Sequence, residues 1–139
     1  MSFRPDALRG ASGGGSLPGQ IDYRLARNSV VKEFHRGRLS RLDVCDAHPE
    51  LLRAARGMGT PAGQACPICE EAELVHVAYA FGPHLPPGGS AFEGSAELAK
   101  LTRRAGEVAC YVVEVCLGCS WNHLARTYVA GRRRRTASS

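Results

Sequence analysis

The spacing of apolar and polar positions splits the chain into a helical first half and a strand-bearing second half. Tyr23, Arg27, Val30, Val31 and Phe34 recur at the three- and four-residue steps of a helix, which predicts a helix over 21–36 with an arginine interrupting its apolar stripe. Asp22 stands near its start and Gly37 can end it. Ser40-Arg41-Leu42-Asp43 is a weak capping-box match, with Asp where Glu is preferred. Pro49 suits a first helical turn, Glu50 favours the positive end of the dipole, and Arg56-Gly57 close the segment, with Leu51, Leu52 and Ala55 facing inward. Further along, the period changes to two. Val75, Val77, Tyr79 and Phe81 alternate with Leu74, His76, Ala78 and Ala80, which predicts a strand over 74–81. Val108–Val115 is β-branched and apolar on both faces except at Glu114, and Trp121–Val129 alternates as a third strand. Between the first two strands lie a Gly/Pro loop and a helix over 96–105, with Ser95 as N-cap and Gly106 as its end.

These elements predict an α+β fold: a zinc-ribbon-like three-stranded antiparallel sheet with N-terminal helices and one inserted helix. The expected organisation is a flexible arm over 1–20, a helical part over 21–60, a ribbon-like core over 61–130 with a loop-helix insertion at 82–107, and a basic disordered tail over 131–139. The arm contains Gly-Ala-Ser-Gly-Gly-Gly-Ser, too little apolar surface to offset the entropy of ordering it.

What remains to fold is small, and a core of that size gains from a metal or disulfide staple. The sequence contains no apolar run of the roughly 18–20 residues a membrane span requires. The start, Met-Ser-Phe-Arg-Pro-Asp, has no hydrophobic stretch of the secretory kind, so a cytoplasmic location is expected. In that compartment paired cysteines serve as metal ligands or redox groups more often than as structural disulfides.

The formal charge of +5 is unevenly spread. Residues 1–40 balance to +4, residues 41–130 to −3, and residues 131–139 to +4. The mildly acidic middle is a poor match for a phosphate backbone and favours protein contact. Nucleic-acid contact would fall to the ends, above all to Arg132, Arg133, Arg134 and Arg135, whose alternative role is to keep a tail soluble.

The chemistry lies in two Cys-x-x-Cys pairs, Cys66-Pro-Ile-Cys69 and Cys116-Leu-Gly-Cys119, with 46 residues between them. A two-residue spacer lets both sulfurs of a tight turn reach one ion, and two such turns beside strands supply a tetrahedral set of four ligands. Pro67 and Gly118 suit such turns, one fixing φ and the other permitting unusual φ. The spacing therefore favours one structural zinc ion on Cys66, Cys69, Cys116 and Cys119. Three alternatives stay open. The cysteines can be buried and metal-free. They can form a redox dithiol, although Cys66-Pro-Ile-Cys69 runs into a polar stretch and a strand, not a helix. Or Cys45 and His48, a C-x-x-H pair, can join Cys66 and Cys69 in a rival set. Otherwise Cys45 and mid-strand Cys110 read as small core residues.

Four thiolates would close the shell, whereas a catalytic ion keeps an open position. No nucleophile, HExxH, P-loop or GxGxxG motif occurs, and Glu70, Glu71 and Glu73 form an exposed run, so no enzyme is expected. His76 and His123 read as polar positions on the sheet. Trp121 can pack over that sheet with Tyr79 or Tyr128, or stand exposed to stack on a partner.

Val-Cys-Asp-Ala-His-Pro-Glu-Leu-Leu-Arg-Ala-Ala, Cys-Pro-Ile-Cys and Val-Val-Glu-Val-Cys-Leu-Gly-Cys-Ser-Trp-Asn-His-Leu together resemble a family of small uncharacterised actinobacterial proteins, over residues 25–130. That resemblance implies a source and no activity. The cysteine pairs separately resemble zinc ribbons of the transcription and translation machinery, an architectural likeness. The expected function is a non-catalytic adaptor or regulator on such an assembly. The alternative is a thiol-based redox or metal sensor.

Overall fold

The computed structural model describes residues 20–131. The elements run in the order β1 (Gln20–Asp22), α1 (Arg24–His35), α2 (Arg41–Val44), α3 (Pro49–Met58), β2 (Thr60–Ala65), β3 (Glu73–Phe81), β4 (Ser90–Phe92), α4 (Gly94–Ala105), β5 (Val108–Val115) and β6 (Asn122–Ala130). The expected arm over 1–20 lies outside the described residues except for Gln20, which is not arm but pairs with Tyr128 in β1; Arg132–Arg135 also lie outside them.

The fold is α+β, but its antiparallel sheet has six strands where the sequence suggested three. The three expected strands form its centre in the order β6-β5-β3. β1 extends the sheet beside β6, with Ile21 opposite Thr127. β2 and β4 share the other edge of β3, β2 pairing Thr60 with His76 and β4 pairing Ala78 with Phe92. Pro61 is tolerated because β2 is an edge strand with an irregular register between Pro61 and Ala65.

Register sorts the side chains onto two faces. His76 stands opposite Glu114, which stands opposite His123; Ala80, Cys110 and Tyr128 follow on the same face. Val77, Tyr79, Val113 and Val115 point the other way and pack against Leu51 and Ala55 of α3. On the first face α4 packs Leu101 and Ala105 over Ala80, Val108 and Cys110. The cysteine end of the sheet is closed by a third cluster, in which Cys66, Cys116, Leu74 and Trp121 meet Val44 of α2 and Val30, Val31 and Phe34 of α1.

Local chemistry accounts for most helix ends. Ser40 and Asp43 form a complete capping box at α2, so Asp serves where Glu is usual. Pro49 begins α3. Gly37 follows α1 at φ 80°, in the left-handed region. Ser95 is not the cap of α4: the helix starts at Gly94, Glu93 occupies the N-cap, and the Glu93 N–H donates to Glu97 Oε1 at 2.8 Å.

Half-buried His76 is held below its ordinary value of 6.5, mainly by loss of hydration, with Arg126 adding to the shift and Glu114 opposing it. It stays neutral in the fold while the unfolded chain takes up a proton. Stability from this residue is therefore intact above about pH 6.5 and falls as the pH drops towards the lower folded value. His76→Gln is expected to flatten that part of the pH dependence of the urea midpoint.

Candidate metal centre

Both Cys-x-x-Cys segments fold into the same turn. In the first, the Cys66 N–H donates to Ala72 O at 2.8 Å and the Glu70 N–H to Cys66 O at 3.0 Å. In the second, the Cys116 N–H donates to Trp121 O and the Ser120 N–H to Cys116 O, both at 2.9 Å. The residue after each second cysteine takes positive φ, Glu70 at 59° and Ser120 at 74°. Two non-glycine residues in the left-handed region at equivalent positions mark a geometry imposed by the turn.

Gly118 does not serve as the sequence suggested. It is absent from the positive-φ residues, and what its position requires is space. A Cβ there would sit 3.1 Å from Ala72 Cβ, on the opposite turn. Gly118→Val is expected to force the turns apart, destabilising the protein by about 1–3 kcal/mol and weakening metal retention, as read by thermal melting and elemental analysis.

The turns bring Cys66, Cys69, Cys116 and Cys119 together, with all four sulfurs within 4.8 Å of one another. Sulfurs about 2.3 Å from a tetrahedral ion are separated by about 3.8 Å along each edge. The Cys66–Cys119 and Cys69–Cys116 pairs are each 3.7 Å apart. Cys66 and Cys116 are buried, Cys69 and Cys119 half-buried. Backbone amides also converge on the sulfurs: the Ile68 N–H donates to Cys66 Sγ at 3.3 Å, and the Gly118 and Cys119 N–H groups donate to Cys116 Sγ at 3.3 Å.

The four thiols differ in their electrostatics. Burial pushes Cys66 up to about 11 and raises Cys119 as well. Cys69 is brought down to about 7, chiefly by the backbone N–H groups of Ala72 and Glu71. So many thiols cannot ionise side by side without a counter-charge, which a coordinated cation would supply, holding them as thiolates. These four cysteines can hold a metal ion in a closed, all-sulfur shell.

The rival ligand set is split by the fold. His48 caps α3, its Nδ1 accepting from the Glu50 N–H at 3.1 Å. Cys45 does lie at the cluster, with its Sγ 3.4 Å from Cys119 Sγ, and burial raises its thiol above the usual range. Cys110 is buried in the distant α4 cluster, as a core residue.

Beside the centre sits an ion pair that the sequence did not reveal. Glu114 Oε2 accepts from Trp121 Nε1 at 2.7 Å and from Arg27 Nε at 2.9 Å. Both charged side chains are largely buried, at 5% exposure for Glu114 and 15% for Arg27. Trp121 is itself buried and stacks on His123, not on Tyr79 or Tyr128. Arg27 interrupts the apolar stripe of α1, and Glu114 that of β5, because each is the other's partner.

A family model described as a family of unknown function, DUF5318, matches residues 18–139. The chain belongs to this family. The chain is 45% identical over 114 residues to the uncharacterized protein Rv0049 of Mycobacterium tuberculosis, covering 82% of this chain and 83% of that protein. The uncharacterized protein Mb0050 of Mycobacterium bovis matches to the same extent. No solved structure matches the chain. The DUF5318 match reaches beyond the 25–130 stretch that carried the actinobacterial resemblance and takes in both cysteine pairs. Among the described residues no helix is long and apolar enough to cross a membrane.

Proposed function

We propose that this DUF5318 protein is a cytoplasmic, non-catalytic adaptor or regulator built on one structural zinc ion, which docks on a transcription or translation assembly. The observation that carries the proposal is the four-sulfur cluster, all within 4.8 Å of one another and with two edges of 3.7 Å, close to the edge of a tetrahedral all-sulfur site. Zinc suits a closed all-thiolate shell with no redox role, and such a shell leaves no position for water or substrate. The ion's task is then to join two turns that are far apart in sequence.

Support for protein docking comes from the surface around that end. Leu25, Leu42 and Leu117 are exposed. Leu42 lies on α2 beside Val44 and Leu117 lies in the second cysteine turn, both at the cysteine cluster, and Leu25 lies at the start of α1, whose later residues Val30, Val31 and Phe34 pack there. Four thiolates with one divalent ion carry a net charge of about −2, which adds to the acidity of residues 41–130 and favours a protein partner there. Arg132–Arg135 supply the chemistry for phosphate contact.

Co-sedimentation tests the docking. Wild-type protein is expected to travel with a ribosomal or polymerase fraction, and Leu42→Asp combined with Leu117→Asp to lose it with metal content unchanged. A wild-type chain that sediments alone contradicts an adaptor role. Removing 131–139 is expected to lower the salt slope of nucleic-acid binding. A second reading, a thiol-based redox or metal sensor, is favoured by one observation, the contact between Cys45 and Cys119.

A further inference from the structure

Cys45 belongs to neither cysteine turn, yet its sulfur is nearer to Cys119 Sγ, at 3.4 Å, than Cys66 Sγ is at 3.7 Å. The contact is built by the fold. The Ala47 N–H donates to Ser120 O at 3.1 Å, fixing the segment after Cys45 against the second turn. Asn122 Nδ2 donates to Asp46 Oδ1 at 3.2 Å and to Ser120 O at 3.3 Å, tying the same segment to the start of β6. On the other side of Cys45, the side chain of Val44 is buried in the cluster that holds Cys66, Cys116 and Trp121. Cys45 and Cys119 are both half-buried, whereas Cys66 and Cys116 are buried. Cys110, by contrast, is buried under α4.

We propose that Cys45 and Cys119 form a peroxide-responsive disulfide site, in which Cys45 is the resolving thiol and closure of the bond removes Cys119 from the metal shell. The reactant is a small hydroperoxide, ROOH; with hydrogen peroxide R is H, and the leaving alkoxide and the alcohol are hydroxide and water. The Cys119 thiolate attacks its terminal oxygen, the O–O bond breaks, and the alkoxide leaves and takes a proton from water to become an alcohol. Cys119 is now a sulfenic acid. Cys45 attacks that sulfur, the S–O bond breaks, and the departing hydroxide leaves with the thiol proton as water. One thiolate, one thiol, one hydroperoxide and one proton become a disulfide, an alcohol and a water; the two sulfurs are oxidised and the peroxide is reduced. The sulfurs need to close by only about 1.4 Å to reach bonding distance. The bonded Cys119 sulfur cannot act as a thiolate ligand, so a four-sulfur shell is left with three. Metal release is then coupled to oxidation, and reduction restores the site.

This inference rests on the metal centre for its consequence but not for the bond itself, and the experiment separates the two. The full chain, with its metal as purified, is treated with stoichiometric hydrogen peroxide. Disulfides are mapped by non-reducing peptide mass spectrometry while released metal is followed with a chromogenic chelator. Cys45–Cys119 is expected as the first disulfide, in step with metal release and reversed by dithiothreitol. Cys45→Ser and Cys45→Ala are both expected to slow release by about tenfold or more, because the positioned thiol is gone. A first disulfide within Cys66–Cys69 or Cys116–Cys119, or a release rate indifferent to both substitutions, overturns the assignment. Protein that carries no metal yet forms Cys45–Cys119 first would remove the metal centre and leave the disulfide site standing.

Discussion

Replacing Cys66 or Cys116 with serine is expected to abolish metal retention and leave the chain largely unfolded at ambient temperature. Both side chains are buried among Val44, Ile68, Leu74 and Trp121, and each anchors a turn at the end of the sheet. The binding energy of an ion held there would be folding energy, on the order of 10 kcal/mol or more for a structural zinc site. A small domain has a net stability of about 5–15 kcal/mol, so losing that share removes most of what holds the native state. A serine hydroxyl is a poor substitute for a thiolate and would sit in a buried cluster with a polar group to satisfy. Cys110→Ala is the matched control. It also removes a buried thiol, but from the α4 cluster, and should cost about 1–2 kcal/mol with metal content unchanged. Circular dichroism melts together with elemental analysis check both. A Cys66→Ser protein that melts like the wild type would rule out a structural metal.

The second large effect is expected at Glu114. Glu114→Ala leaves the Arg27 guanidinium, 15% exposed, without its counter-ion and Trp121 Nε1 without its acceptor. Breaking one side of a buried pair costs about 3–5 kcal/mol, much of it from the charge left behind. Glu114→Gln keeps an acceptor for Trp121 and should cost less, about 1–3 kcal/mol. Replacing both partners, Arg27→Met with Glu114→Leu, is expected to recover most of the loss, because no buried charge is then unpaired. Urea denaturation of the four proteins gives the comparison. The pair also touches function. Trp121 packs in the cysteine cluster, so Glu114→Ala should loosen the metal by about 10–100-fold, the usual size of an outer-shell effect.

The two cysteine turns were legible in the sequence because their geometry is local: two residues between sulfurs and a strand beside each pair. The three central strands were legible because apolar positions alternate over 73–81 and 122–130 and valines crowd 108–115. The edges were not. Gln20–Asp22 and Ser90–Phe92 are three residues each, and Thr60–Ala65 is mostly exposed and contains a proline and a glycine. Such strands are held by backbone bonds to a neighbour already in place, so their side chains carry little alternation to detect. Arg27 and Glu114 lie 87 residues apart, and a single sequence says nothing of which charge meets which. The same holds for Cys45. As a lone thiol it reads as a small core residue, and only the backbone ties at Ala47 and Asn122 bring it to Cys119.

One ion held by four sulfurs is a directly measurable arrangement. Elemental analysis of freshly purified protein, with X-ray absorption at the metal edge, measures it directly. The expected result is one zinc per chain with four sulfur neighbours at about 2.3 Å. Protein that is folded yet free of stoichiometric metal, or an ion whose shell contains nitrogen or oxygen in place of sulfur, contradicts it.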